Sequence, residues 1–340
     1  MGEGGSRFQL KRLFKTADRA VKVPHRICKL LHYILMARQH LGQHFLADSA
    51  WRDQIARAMR VSQPSEMTAT AATTDGNFCW IEIGPGHGEM TEYLASSGAP
   101  VHAIELDPLL IGGLSRIKKR FANLEVVHGD ILECDLRAVS KGRRIKIYGS
   151  LPYYITSPIL HHLFGFAELI DEIHVVVQTE VAERLAAQPG SKCYGYLSVV
   201  TQFYARPEVV LEIPSAAFHP PPEVGSSLVA MRLPGAGIKL QLQSSTRLVD
   251  PLSRQTADDK AAFLAFVKLC FAKKRKTVVN NLRPIWQPED VRQALATIEL
   301  RPDVRAEHIS LGNLAALYTR LQATGNPVTD SRSQQRETRC

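Results

Sequence analysis

Phe78-Cys79-Trp80-Ile81-Glu82-Ile83-Gly84-Pro85-Gly86-His87-Gly88 joins an apolar run to a cluster of three glycines. Phe78 to Ile83 has the length and the apolar, aromatic content of a buried strand, and the glycines end it in a loop. Glycines at 84, 86 and 88 let backbone approach a ligand closely, and the helix expected from Glu89 to Ser97 turns its amino terminus toward the same place. A dinucleotide site would want glycine at position 89. Glu89 stands there, and it would crowd and repel a pyrophosphate.

The alternation continues downstream. Strands are expected at Val101–Glu105, Leu124–His128, Arg144–Tyr148 and Glu172–Gln178, with helices at Pro108–Phe121, Ile155–Phe166 and Thr179–Ala187. Such alternation predicts a parallel sheet covered on both faces, whose ligands bind at the carboxyl ends of the strands. Glu105 closes the second strand, 21 residues after Gly84, where a carboxylate can accept from both hydroxyls of a ribose. Asp130, in His128-Gly129-Asp130, closes the third and can accept from an adenine amino group. Glycine loop, ribose acid and adenine acid on successive strands describe a site for S-adenosylmethionine. The fold class is therefore α/β, a Rossmann-like sheet of the kind used by methyltransferases that take this cofactor.

The fourth strand runs into Tyr148-Gly149-Ser150-Leu151-Pro152-Tyr153-Tyr154-Ile155-Thr156-Ser157-Pro158. An aromatic ring beside a proline-fixed carbonyl suits a planar amine, since the ring stacks and the carbonyl accepts an N–H. By itself Pro-Tyr-Tyr after a strand is more often a plain turn. Further on, antiparallel strands are expected at Glu208–Ile213 and Ser226–Leu233, flanking Phe218-His219-Pro220-Pro221-Pro222-Glu223-Val224. Phe218 either closes a flipped base against Tyr153 from the other side or plugs the sheet edge.

The formal charge of +9 is unevenly spread: residues 1–37 carry eight Lys/Arg against two acids, so +3 is left for the remainder. A local cluster says more than the total. An amphipathic helix through Phe263, Phe266, Val267, Cys270 and Phe271 runs into Lys273-Lys274-Arg275-Lys276, with Asn280, Asn281 and Arg283 following. Lysines at a helix end can be mere dipole partners, but four together with the amides and Arg283 suit a phosphate backbone. Three more helical segments reach Leu321. Six cysteines without a Cys-x-x-Cys pair point to a reducing compartment and argue against a disulfide framework or zinc site. No run approaches the length of a membrane span.

Four regions are expected. Residues 1–37 form a basic extension, either an upstream start before Met36 or a transit segment. Residues 38–235 form the methyltransferase domain, in which a helix from Ser49 to Met59 follows Arg38–Leu46 and a connector spans Ser62–Asn77. A smaller, all-helical RNA-binding domain occupies 236–323, its start marked by the Gly/Ser/Gln-rich run from Pro234 to Asp258, and 324–340 is a polar tail.

From Arg38 to about Leu321 the chain resembles the KsgA family of small-subunit ribosomal RNA adenine N6-dimethyltransferases. The matching stretches are L-G-Q-H-F-L at 41–46, E-I-G-P-G-H-G-E-M-T at 82–91, I-E-L-D at 104–107, H-G-D at 128–130, S-L-P-Y-Y-I-T-S-P at 150–158, F-H-P-P-P-E-V at 218–224 and F-A-K-K-R-K-T-V-V-N-N-L at 271–282. R-A-E-H-I-S-L at 305–311 favours this branch over the methylases of large-subunit RNA. The resemblance implies S-adenosylmethionine contacts at His44, Leu46, Gly84, Gly86, Glu105, Asp130 and Ser150. It puts the target adenine between Tyr153 and Phe218, with its N6 hydrogens accepted by Ser150 and the Leu151 or Pro152 carbonyl. RNA would lie on Lys273, Lys274, Arg275, Lys276 and Arg283. The implied partner is small-subunit ribosomal RNA or the pre-small-subunit particle, met by a metal-free, membrane-independent monomer in the cytoplasm, or in an organelle if residues 1–37 are a transit segment.

Two positions depart from the family. His44 stands where Asn is usual, which changes little if the contact is through backbone. Ser150 stands where the family carries Asn before Leu-Pro-Tyr. The N6 lone pair is delocalised into the purine; two acceptors holding its hydrogens free it for in-line attack on a sulfonium methyl, and positioning can supply about 7–11 kcal/mol of the barrier. A serine hydroxyl still accepts but reaches less far, so a slower enzyme is expected. The competing readings are an RNA-binding assembly factor that has kept the fold, and a small-molecule methyltransferase, which the lysine cluster and the helical domain disfavour.

Overall fold

The computed structural model describes residues 44–61, 77–152, 154–233 and 256–323. By its contacts the chain divides into units 1–43 and 44–340, and the expected basic extension falls in the first, outside the described residues. The expected connector Ser62–Asn77, except Asn77, the expected boundary Pro234–Asp258, except its last three residues, which open a helix, and the tail from 324 also lie outside them.

Nine strands follow one another as β1 (Phe45–Leu46), β2 (Phe78–Ile83), β3 (Val101–Glu105), β4 (Leu124–His128), β5 (Arg144–Ser150), β6 (Ile170–Gln178), β7 (Arg206–Ile213), β8 (Phe218–His219) and β9 (Ser226–Arg232). Seven of them make one sheet in the order β4-β3-β2-β5-β6-β9-β7. β2 to β6 are mutually parallel; β9 runs antiparallel to both β6 and β7. β2, β3 and β4 step outward in one direction, and β5 then returns to pair with β2 on its other side. That reversal leaves a crevice at the carboxyl ends of β2 and β5, where open α/β sheets bind ligands.

Alternation along the strands builds two cores. Cys79, Ile81, Ile83, Ile145 and Ile147 face α5 (Thr156–Phe164), α6 (Thr179–Ala186) and the start of α4 (Leu136–Ser140). Trp80, Val101, Ala103 and Tyr148 face the opposite way, toward α1 (Ser49–Ala58), α2 (Thr91–Ser96) and α3 (Pro108–Lys118). Asp48 caps α1 by accepting from Ala50 N–H at 2.8 Å, and Asp107 caps α3 from Leu109 N–H at 2.9 Å with Pro108 behind it. The turn at Ile131–Glu133 and the short α4, both capped by aspartates, are elements the periodicity did not announce.

The helical end comprises α7 (Tyr196–Tyr204), α8 (Ala257–Cys270), α9 (Val278–Leu282), α10 (Pro288–Ala296) and α11 (Leu311–Ala323). α8 begins six residues before Phe263, capped reciprocally by Thr256 and Asp259. Phe263, Phe266, Trp286 and Tyr318 cluster at its centre, with Phe266 and Tyr318 ring centroids 5.1 Å apart. Ala187, Tyr194 and Val199 belong to the same core, Phe203 lies 5.4 Å from Phe263, and Tyr194 donates to Ile309 O at 3.1 Å. The helices therefore pack directly on the segment that follows α6. Among the described residues no helix is long and apolar enough to cross a membrane.

One glycine sets the spacing between sheet and α3. Gly88 has φ +91°, and a Cβ there would sit 2.2 Å from Ile117 Cδ1 and 3.1 Å from Leu114 Cδ2. Gly88→Ala is expected to cost about 2–4 kcal/mol in urea unfolding, from strain and overpacking together. Gly113, exposed in α3 with open space around its missing Cβ, is the control. Gly113→Ala is expected to stabilise by up to about 1 kcal/mol, and an equal loss at both positions would show that α3 does not press on the loop.

Candidate functional site

The crevice is floored by the Gly84–Gly88 loop and walled by β5. Gly84 and Gly86 have φ +63° and +61°, a region closed to most side chains, and a Cβ on Gly84 would point into open space. Gly84 N–H donates to Ile104 O at 3.0 Å, which ties the loop to β3. Gly149 then brings β5 close: a Cβ there would lie 3.1 Å from Ile83 Cβ and 3.2 Å from Ile83 O. Ile83 pairs with Gly149, so Ser150, half-buried at the end of β5, stands beside Gly84.

Glu105 is the clamp. Its side chain is nearly fully buried, its Oε2 accepts from Gly86 N–H at 3.0 Å and its Oε1 from Asp107 N–H at 2.8 Å. Burial raises its pKa, against the lowering effect of those backbone donors. The lone-pair directions those donors leave are open to a vicinal diol. Asp130 gives Oδ1 to Leu132 N–H at 2.9 Å, and as a carboxylate it keeps a second oxygen for an amino group. A glycine cradle open where a Cβ would stand, with oriented acids at the next two strand ends, fits S-adenosylmethionine.

A small antiparallel pair covers this floor. β1 and β8 align Phe45 with His219 and Leu46 with Phe218. The Phe45 ring lies 3.0 Å from where a Gly86 Cβ would be, its centroid 4.4 Å from that of His87. His44 Nδ1 is 2.6 Å from Pro220 O. Phe218 is only 5% exposed, in one buried cluster with Leu46 and Tyr148.

On the β5 side, Leu151 N–H donates to Val176 O at 3.0 Å, fixing the chain just past the strand. The Pro152 carbonyl accepts from Ile155 N–H at 3.2 Å and from Thr156 Oγ1 at 3.1 Å. Both its lone pairs are thereby used, whereas the Leu151 carbonyl meets no donor among the described residues. Of the two carbonyls expected to accept an amine hydrogen, that of Leu151 is the one left with unused lone pairs among the described residues. Tyr153 lies outside the described residues; its neighbour Tyr154 is 54% exposed.

Glu82 carries a role that the sequence reading did not assign. It is 1% exposed, accepts from Thr91 Oγ1 at 2.6 Å and pairs in register with Tyr148. Desolvation, with Glu89 and Glu105 nearby, pushes its pKa up to about 8. The available signal was an acid at an inward position of an otherwise apolar strand.

Lys273, Lys274, Arg275 and Lys276 occupy an exposed turn after α8, closed by Lys276 N–H to Lys273 O at 2.9 Å, and Arg283 is exposed at the end of α9. None of the five joins an ion pair among the described residues. Asn281, expected with them on phosphate, is 5% exposed, and its amide donates to Cys270 O at 2.6 Å and Lys273 O at 3.3 Å. It shapes the basic turn from inside and has no donor left for an anion. Among the described residues no three metal-ligating side chains cluster.

Comparison with known proteins agrees with this geometry. A family model described as "Ribosomal RNA adenine dimethylase" matches residues 34–323. Ribosomal RNA small subunit methyltransferase A of Koribacter versatilis is 35% identical over 295 residues, covering 83% of this chain and 93% of the relative. Its counterpart in Acidobacterium capsulatum is 41% identical over 247 residues, covering 71% and 81%. Among solved structures, a dimethyladenosine transferase from Plasmodium falciparum superposes with a TM-score of 0.61 at 19% identity, covering 84% of this chain and all of that one. The 23S rRNA methyltransferase ErmE gives 0.58 at 23% identity, covering 82% and 99%. Those two likenesses speak for the fold alone, which is the Rossmann-like methyltransferase sheet with a helical carboxyl-terminal region.

Folding raises the Glu82 pKa from 4.5 to about 8, so the folded state holds a proton there that the unfolded chain has released. The contribution of this group to stability therefore falls as pH rises through that window. Glu82→Gln, which keeps an acceptor for Thr91, should match the parent in urea near pH 5. By pH 8 it should be the more stable, with the gap growing by at most about 1.4 kcal/mol per pH unit. A gap that does not change with pH would mean that Glu82 is ionised in the folded protein.

Proposed function

Because the chain belongs to the ribosomal RNA adenine dimethylase family, we propose that it methylates N6 of adenine in small-subunit ribosomal RNA, using S-adenosylmethionine held in the crevice between β2 and β5. The observation that carries this reading is the juxtaposition of Gly84 with Ser150 across the β2–β5 switch, with Glu105 locked onto the glycine loop. S-adenosylmethionine, when bound, supplies a methyl group on a positively charged sulfur, already reactive toward a neutral amine.

The protein's own residues do the positioning. Glu105 takes the ribose hydroxyls and Asp130 the adenine amino group of the cofactor, while Gly84 leaves room for backbone contact and Gly86 holds Glu105 in place. His44 and Leu46 close over it from the β1–β8 pair. Ser150 Oγ and the Leu151 carbonyl each accept one hydrogen of the target amine. This localises the nitrogen lone pair toward the methyl group without a strong general base. Pro152 keeps the Leu151 carbonyl aimed, since its own carbonyl is tied to Ile155 and Thr156. By the resemblance, Tyr153 and Phe218 flank the base, and two adjacent adenines of the 3′-terminal hairpin each take two methyls.

Residues 38–235 carry the chemistry on this reading and 236–323 hold the RNA. Lys273, Lys274, Arg275, Lys276 and Arg283 meet backbone phosphates, which fix register without reading sequence.

Methyl transfer to unmethylated small subunits, followed by mass spectrometry of the RNA, tests the activity directly. Ser150→Asn restores the longer acceptor and is expected to accelerate transfer on the order of 10–100-fold; equal rates would make the serine equivalent, and no transfer by either form would leave an RNA-binding assembly factor. Changing Lys273, Lys274 and Lys276 together to Gln is expected to weaken RNA binding and to flatten its salt dependence by roughly 0.7–0.9 in log–log slope per lost phosphate contact. An unchanged slope would move the RNA to another face.

A further inference from the structure

A cleft of about 670 Å³ opens between α6, the 192–198 segment and the turn after α8, within the size range of roughly 300–1,000 Å³ usual for small-molecule sites. α6 leaves the sheet directly at the carboxyl end of β6, the end at which Ser150 and Gly84 lie, so the cleft and the crevice share one side of the sheet. Its lining is chemically divided. Lys192, Lys273, Lys274 and Lys276 border it, and none enters an ion pair among the described residues. Its acids are partly answered from within: Glu180 pairs with Arg184, and Glu307 lies 3.9 Å from Arg305 and 3.7 Å from His308. With Glu183 counted, the lining sets Arg184 and four lysines against three glutamates, a formal excess of two positive charges.

The inner wall carries a different signal. Asn281 lines the cleft and is 95% buried, since only 5% of it is exposed, and its Oδ1 has no hydrogen-bond partner. Both amide hydrogens are committed to Cys270 O and Lys273 O, so the oxygen is the one polar atom of that side chain still without a partner. A buried acceptor without a donor costs about 1–3 kcal/mol, so a ligand N–H placed there recovers the loss. A backbone phosphodiester cannot serve, because it offers no donor, and a cation would be repelled by the lysines. The half-buried rings of Tyr196 and Phe271 also line the cleft and give a flat group something to stack on.

We propose that this cleft is a second nucleotide site, taking one unstacked nucleotide of the substrate RNA outside the methylation pocket. The phosphate lies on Lys192, Lys273, Lys274 and Lys276, and an amino or imino hydrogen of the base goes to Asn281 Oδ1. The inference rests on the RNA reading above and adds an anchor that holds the RNA by one extruded residue while another is presented for methylation. It also gives Asn281 two tasks: its hydrogens shape the basic turn, and its oxygen reads the base that the turn has captured.

Cys193 supplies a local probe. It lines the cleft, half-buried, with its thiol 3.6 Å from Glu183 Oε2, whereas Cys79 and Cys270 are buried and Cys134 is absent from the cleft lining. The full chain is saturated with S-adenosylhomocysteine to fill the donor pocket, then alkylated in the presence of 5′-AMP, purine riboside 5′-monophosphate or inorganic phosphate, and labelling of Cys193 and Cys134 is read by mass spectrometry. AMP should slow Cys193 labelling and leave Cys134 unchanged. The purine analogue, which lacks the amino group, should bind about tenfold more weakly, the worth of one well-formed hydrogen bond, and phosphate more weakly still. Lys192→Ala should weaken AMP protection without altering S-adenosylhomocysteine affinity. Equal protection by all three probes would reduce the cleft to a simple anion site, and no protection at millimolar nucleotide, or protection indifferent to Lys192→Ala, would overturn the proposal. Methyl transfer to small subunits, measured separately, can succeed or fail independently of these outcomes, so the two readings fall apart experimentally.

Discussion

The close approach of β5 to β2 is the constraint on which the crevice depends. Neighbouring strands lie about 4.8 Å apart, and Gly149 lets their ends keep that distance where a side chain would press on Ile83. On the proposed reading the cofactor half of the site hangs from β2, β3 and β4, and the amine-accepting half from the end of β5. Their separation is set by sheet geometry and hardly at all by loop conformation. A reaction that relies on alignment in place of a strong base needs that rigidity, because small errors in approach forfeit much of the advantage of positioning.

Electrostatics divides the molecule by task. Glu82, Glu89 and Glu105 gather around the glycine loop, in keeping with a donor that carries positive charge on sulfur. The crowding has a consequence inside the protein: Glu82 is deprived of water and set among other acids, and it keeps its proton well above the ordinary carboxylate range. Lys192 and the lysines of the turn after α8 stand elsewhere, where a polyanion can be held without disturbing those acids. A modest net charge is sufficient when its sign is sorted in space.

The helical end is built to hold that basic turn still. Its aromatic core continues through Phe203 and Tyr194 into the segment after α6, and Asn281 bonds the carbonyls at the end of α8. On the proposed reading, RNA held at the turn would be registered against the sheet through these packed side chains. The division expected between residues 235 and 236 follows composition, but the core of the helices draws in residues from both sides of it.

What the sequence determined by itself was the periodic part: strands β2, β3 and β4 at their expected bounds, the glycine loop after the first, and acids at the ends of the next two. These were legible because burial enforces an alternation of two and the loop chemistry enforces glycine. The tertiary structure alone decided which distant pieces meet. Arg38–Leu46 read only as the stretch before a helix and Phe218 as a loop ring, yet Phe45 and Leu46 pair with His219 and Phe218, and the Phe45 ring covers Gly86. Pro152 and Leu151 were equal candidates until the hydrogen bonds of Ile155 and Thr156 occupied one of them. Asn281 read as a phosphate contact until its burial turned its hydrogens inward. Each of these depends on partners brought from elsewhere in the chain or on where a loop folds back, and local pattern carries no record of either; periodicity reports only which face of an element is dry.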